Sequence, residues 1–365
     1  MKTIATGILL VFSFINCWGQ NFTPKYIAEN KGKWAFEIPE VQELVHIIIA
    51  ITSTGIADSN MVEHRGKYYR EVLAHFGKFK DKGIVKEIDA KLKSKWTNYF
   101  YLKMDACGFS FDDNGKIVKD KTYDQLSWGW KNHINPFVAE LVKFSNETGF
   151  RGFFKEHKED YDRMIVLIQK QMPIDNQWRW LESNFPIKYD NYRITFSPLV
   201  NGAHSTNRFE AKNFKQTIMF ICGPNENPKH NEKITEGLMT RVVFTEIDHN
   251  YVNPVTDKYR GQINKIFKNR SKWTSGKDAV HYGNAYSIFN EYMTWAVFTL
   301  YALDTYDEGD FKTVNESAEL QMTNSRGFSR FREFNQKVIE LYKRKGLNQN
   351  IADLYPAILE WCKSE

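Results

Sequence analysis

Glu246 and His249 stand three residues apart within Val242-Val-Phe-Thr-Glu-Ile-Asp-His249-Asn-Tyr-Val-Asn-Pro254. On a helix Leu238, Val242, Thr245, Glu246 and His249 share a face, so an apolar stripe ends in a carboxylate and an imidazole. Zinc hydrolases use this geometry: two histidines four residues apart hold the metal, and a glutamate beside the first activates water. Glu246 takes the place of that base and His249 that of the second histidine, while Thr245 stands where the first histidine belongs. The spacing alone is weak. It recurs at Glu43-Leu-Val-His46, read as ordinary helix chemistry, and a hydrogen-bonded polar pair at a helix end competes for Glu246 and His249.

A second acidic position changes the balance. In Phe289-Asn-Glu-Tyr-Met-Thr-Trp-Ala296, Glu291 shares a helical face with Ile288, Trp295 and Phe298. A carboxylate buried there without a partner costs several kcal/mol, so it needs a metal, a protonated histidine, or an arginine or lysine inside the core. Glu291 lies 42 residues after His249, in an Asn-Glu pair on the next long helical pattern. That is the arrangement of the glutamate-ligand zinc peptidases, the gluzincins.

Across nearly all of the chain after its export segment, the sequence resembles the secreted bacterial family called domain of unknown function 4932. The resemblance is carried by Phe36-Glu-Ile-Pro-Glu-Val-Gln-Glu-Leu-Val45, Ser197-Pro-Leu-Val-Asn-Gly-Ala-His-Ser205, the stretch from Glu246 to Pro254, and Asn290-Glu291. It implies a zinc metallopeptidase of gluzincin type, with Glu246 as base and His249 and Glu291 as metal ligands, acting on a peptide or protein substrate. Thr245 departs from the family's metal-binding pattern.

Another side chain could replace the missing ligand. His204, in a glycine-containing loop after a strand, is the first candidate; His281, just ahead of the Glu291 helix, is a weaker one. His157 lies on an apolar stripe and reads as a core histidine. Asp248 points roughly a third of a turn away from the Glu246 and His249 face on an ideal helix and is not counted. Tyr286 and Tyr292 are both candidate donors to an oxyanion, and the sequence does not choose between them.

The elements that position these residues follow from periodicity. Val41, Leu44, Val45 and Ile48, then Tyr69, Val72, Leu73 and Phe76, repeat at helical spacing, as does a stripe from Phe150 to Ile168. After Pro186, Tyr192, Ile194 and Phe196 alternate with Arg193, Thr195 and Ser197 as in a half-buried strand, and Thr217 to Cys222 reads as another. Helical patterns follow over roughly 232–251 and 286–306. The expected fold is α+β, mainly α: a helical half over residues 21–185, then a gluzincin-like region over 186–365 with a small sheet packed on the active-site-like helices. Gluzincins carry an edge strand along which a peptide lies, and the strands here suit that role.

Residues 1–20 read as a signal peptide: Lys2, an apolar core from Ile4 to Ile15, and cleavage near Gly19 or Gln20. Cys17 raises a lipoprotein alternative, which Phe14, Ile15 and Asn16 fit poorly. The expected location is secreted or periplasmic, with no transmembrane segment. The charge of +6 is spread along the chain without a basic block, which argues against nucleic acid. Cys107, Cys222 and Cys362 are too few and too dispersed for a disulfide framework or a cysteine-built zinc site, though one bridge is open to them. Two rivals stand beside the zinc peptidase. One is a catalytically inactive relative that binds a peptide or glycan; the other is a dimetal carboxylate bundle built on the two Glu-x-x-His pairs.

Overall fold

The computed structural model describes residues 22–123, 132–275 and 282–365. The expected signal peptide over residues 1–20 and His281 lie outside them. The fold is α+β and mainly α, with a four-stranded mixed sheet. Two compact units make up the chain, Met1–Ile168 with Tyr189–Pro224, and Gln169–Lys188 with Asn225–Glu365. Among the described residues no helix is long and apolar enough to cross a membrane.

The first unit begins with α1 (Pro24–Asn30) and β1 (Lys33–Glu37), then α2 (Glu40–Ile51), α3 (Ser53–Ala57), α4 (Lys67–Phe76), α5 (Gly83–Ser94) and α6 (Asn98–Asp105). A short antiparallel pair, β2 (Phe109–Phe111) and β3 (Ile117–Lys119), precedes α7 (Val138–Thr148), α8 (Phe150–Glu156) and most of α9 (Lys158–Gln171). The chain returns to this unit as β4 (Asn191–Ser197), β5 (Ser205–Glu210) and β6 (Lys215–Cys222). Strand order is β1-β4-β6-β5, with β1, β4 and β6 parallel and β5 antiparallel to β6. Tyr192 sits opposite Thr217, and Ile194 opposite Met219.

Alternation identifies β4 as a half-buried strand, but both of its faces are covered, with Gln42 of α2 lying against the polar one. Tyr192, Ile194 and Phe196 are buried, and so are Thr195 and Ser197. The polar face is satisfied internally. Gln42 Nε2 donates to Thr195 Oγ1 (3.2 Å), Thr195 Oγ1 donates to Met219 O (3.1 Å), and Arg193 pairs with Glu37 on β1. Beside it, α2 is buried along its whole length from Val41 to Ile51 and packs against α4, α5 and α6. Each buried aliphatic side chain there contributes ~1.5–3 kcal/mol, which lets the same helix carry Glu43 and His46 fully buried.

The second unit is helical: α10 (Ile174–Asn184), α11 (Glu232–Ile247), α12 (His249–Lys258), α13 (Arg260–Ile266), α14 (Ala285–Thr305), α15 (Glu308–Leu320), α16 (Phe331–Arg344) and α17 (Tyr355–Ser364). Asn231 caps α11 by accepting from Ile234 N (2.8 Å), and Asn284 caps α14 by accepting from Ser287 N (2.8 Å). Such caps satisfy amides that have no partner within the helix. Residues Ile288 to Ala302 of α14 are buried without a break, because α11, α12, α13, α15 and α16 all pack on it. Phe244 packs against Tyr301 (4.8 Å between centroids), and Tyr292 against Phe334 (5.0 Å), both with tilted rings.

One boundary differs from the sequence expectation of a single helix over 232–251. α11 stops at Ile247, Asp248 forms a one-residue turn, and α12 runs on to Lys258 through Pro254. Proline has no N–H to donate to Asn250 O, so the helical ladder is interrupted there without ending the helix. Cys107, Cys222 and Cys362 are free thiols, and burial pushes the first two up to about 12.

Candidate functional site

The residues singled out on α11, α12 and α14 are all deeply buried in the second unit. Glu246 is 1% exposed, His249 2%, Glu291 1% and Asp248 0%. α11 brings Glu246 to its last turn, and the turn at Asp248 starts α12 with His249 as its first residue. α14 packs against both helices and presents Glu291 from its second turn.

His249 Nε2 lies 3.7 Å from Glu291 Oε1. The far atom of each side chain is held by another residue. His249 Nδ1 is 3.2 Å from Asn253 Oδ1, one turn along α12; that oxygen can only accept, so Nδ1 donates. In the neutral ring the lone pair then resides on Nε2, facing Glu291. Glu291 Oε2 accepts from Arg326 Nη2 at 2.8 Å, and Arg326 also binds the Tyr282 hydroxyl. Burial pushes the Glu291 carboxyl upward, and Arg326 and then Tyr282 pull it back.

Arg326 owes its position to a break in regular helix. Gln321–Ser325 forms a π-helical turn after α15, in which Arg326 N bonds back to Gln321 O (3.0 Å). Gly327 follows with φ +74°, a left-handed conformation that glycine adopts without a Cβ penalty. Single π turns occur often at functional sites.

Asp248 does not turn away into solvent. Its carboxyl is fully buried, and its pKa is raised well above the carboxylate range by burial first, then by Glu291 and Glu246. Tyr282 feels the charges of both Glu291 and Glu246, so these acidic groups share one electrostatic neighbourhood. Thr245, at the position of the absent histidine, is buried, and its Oγ1 donates to Arg241 O (2.9 Å) one turn back. Tyr292 donates to Trp273 O (2.5 Å), while Tyr286 packs under the Arg260 guanidinium at 3.8 Å.

His204 belongs to the first unit, in the connection between β4 and β5, with Nε2 3.0 Å from Asn201 O. His157, also in the first unit, places Nδ1 2.8 Å from Phe153 O and Nε2 3.5 Å from Glu71. Glu43 and His46 lie there too. Burial pushes Glu43 up to about 7 and His46 down to about 3.

Two ligands about 2.1 Å from one tetrahedral zinc stand roughly 3.4 Å apart. The Nε2 to Oε1 separation of 3.7 Å is close to that edge. His249 and Glu291 therefore suit two places in a zinc shell, each oriented from behind as ligands usually are. Among the described residues, no three His, Cys, Asp or Glu side chains group closely enough to hold a metal ion. Sequence reasoning did not single out Arg326, Tyr282, Asn253 or Arg241. An arginine partner for Glu291 was the one expectation that pointed toward Arg326, without a way to choose it.

The chain matches no known family model, no curated protein and no solved structure.

Proposed function

We propose that this protein is a metallopeptidase-like hydrolase of gluzincin type, whose altered site is built on Glu246, His249 and Glu291. The observation that carries the reading is the facing of His249 Nε2 and Glu291 Oε1 at 3.7 Å, with Asn253 and Arg326 holding the outer atoms. His249 and Glu291 would hold zinc, which when bound supplies a polarised carbonyl and an acidified water. Glu246 would accept the proton of that water at its carboxylate and pass it to the leaving amine. Arg326 lowers the Glu291 carboxyl against the larger upward push of burial and fixes which of its oxygens faces His249. Thr245 leaves the third ligand position to another side chain, for which the sequence offers His204 and His281.

A second reading has an observation of its own. The Arg326 guanidinium already serves as the cation for Glu291, in the place a metal would take. A zincin-like relative that binds a peptide or glycan without cleaving it would need no more than this.

Zinc titration of the purified, chelator-stripped chain, with hydrolysis of a mixed peptide library followed in parallel, separates the two. The hydrolase reading expects about one zinc per chain, its loss in His249→Ala and Glu291→Ala, and peptide cleavage abolished in Glu246→Gln with zinc retained. His204→Ala and His281→Ala identify the third ligand. A folded parent that takes up no zinc and cleaves nothing would leave the non-hydrolytic reading.

A further inference from the structure

Among the described residues, Arg241 is the guanidinium of this network that no carboxylate neutralises. It lies on α11, one turn before Thr245, and forms no ion pair with any carboxylate among the described residues. Its Nη1 is buried with no hydrogen-bond partner, although the residue as a whole is only half-buried. The guanidinium lies 5.1 Å from the centre of the Trp295 ring, and Arg326 lies 5.0 Å from the same ring. Two like charges thus share one aromatic side chain, and among the described residues Arg326 alone of the two has a carboxylate, that of Glu291.

A buried guanidinium without a counterion is costly, and the stacking on Trp295 returns only part of that cost. The neighbouring Arg326 adds repulsion. An incoming anion removes both penalties together. Arg326 is already paired with Glu291, and Arg241 forms no ion pair among the described residues, so a singly charged anion has Arg241 to pair with. A carboxylate fits, since the planar fork of arginine binds its two oxygens side by side.

We propose that Arg241, stacked on Trp295 beside Arg326, is a carboxylate-binding subsite for a peptide ligand. This deepens the peptide-handling reading above by naming the group the ligand must carry, either a terminal carboxylate or an acidic side chain. Arg241 acts here as a binding residue and takes no part in proton transfer.

The test is a calorimetric titration of the purified full chain in chelator, so that binding is read whether or not the metal reading holds. Four probes are compared: a tetra-alanine peptide with a free C-terminus, its C-terminal amide, the amide with one alanine replaced by aspartate, and inorganic phosphate. The expected result is that at least one carboxylate-bearing probe binds tenfold or more tightly than the plain amide. Preference for the free terminus identifies a terminal carboxylate, and preference for the aspartate peptide a side chain. Arg241→Gln should abolish the preference and yet melt no lower than the parent, because it removes an uncompensated charge. If Arg241→Gln does not fold, Arg241→Lys, which keeps the charge and loses the fork, should weaken the preference. Equal binding of the amide, no binding of any probe, phosphate as the tightest ligand, or a preference unchanged in the variants would each overturn the proposal.

Discussion

Arg326 Nη2 lies 2.8 Å from Glu291 Oε2, with side chains only 3% and 2% exposed. At such burial neither charge has water to fall back on, so each depends on the other. Removing one partner of a buried pair costs ~3–5 kcal/mol, whereas removing both is far milder. Glu291→Gln and Arg326→Met should each destabilise the second unit by about that amount. The double variant should cost clearly less than their sum. Denaturant unfolding of the four proteins gives the coupling. Additive losses would mean that the pair contributes nothing as a pair.

The parts of this arrangement differ in how far sequence could reach them. Tyr192, Ile194 and Phe196 announce a strand because side chains alternate between faces, and periodicity records that directly. β5 is not announced. Ser205-Thr-Asn-Arg-Phe-Glu210 has almost no apolar alternation and is held by its backbone pairing with β6. The turn at Asp248 is equally silent, since nothing in Glu-Ile-Asp-His breaks helix propensity strongly. Glu291 could be singled out as a carboxylate needing a partner, because its neighbours on the helix are apolar. That partner, Arg326, lies 35 residues later and is placed by the π turn just before it, and sequence spacing carries no such long-range information.

In the first unit, pH should act through Glu43 on α2. Burial raises its carboxyl from 4.5 to about 7, outweighing Ser197 and Tyr68, which lower it. The folded chain therefore holds a proton that the unfolded chain releases. This stability is fully present below about 4.5 and is lost as pH rises through about 7. Glu43→Gln should leave stability near the parent's in mild acid and exceed it by about 3 kcal/mol near pH 8. His46 works in the opposite direction. Burial, and then Lys103, lower it from 6.5 to about 3, so its contribution is lost as pH falls below about 6.5. Hydrogen exchange of α2 amides across this range checks the assignment. A parent and variant that lose protection in parallel would rule Glu43 out.

Gly237 shows how closely the helix bearing Glu246 is packed. A Cβ there would come 2.6 Å from Val314 Cγ2 and 3.2 Å from the Tyr306 ring. Alanine should favour the helix by ~0.5–1 kcal/mol, but overpacking typically costs ~1–3 kcal/mol. Gly237→Ala should therefore lower stability despite its higher helix propensity. Val314→Ala in the same chain should recover part of the loss by making room. A melting temperature raised by Gly237→Ala alone would show that α11 and α15 can separate at little cost.

Thr245 gives the sharpest test of the metal reading. It stands four residues before His249, where a zinc site of this kind has its other histidine, and its hydroxyl is spent on Arg241 O at 2.9 Å. The turn at Asp248 lies between the two positions. Yet Asp248 N still bonds to Phe244 O (2.8 Å) and Val252 N to Asp248 O (2.7 Å), so the backbone keeps a near-helical path across it. A histidine at 245 would then lie on the same side as His249, with Glu291 already facing that ring. Thr245→His should raise zinc affinity by tenfold or more, about 1.4 kcal/mol, in competition against a chromophoric chelator. Combining it with Glu291→Ala should remove the gain, because the new ligand needs the old ones to complete a shell. A Thr245→His protein that folds like the parent and binds zinc no more tightly would overturn the metal reading.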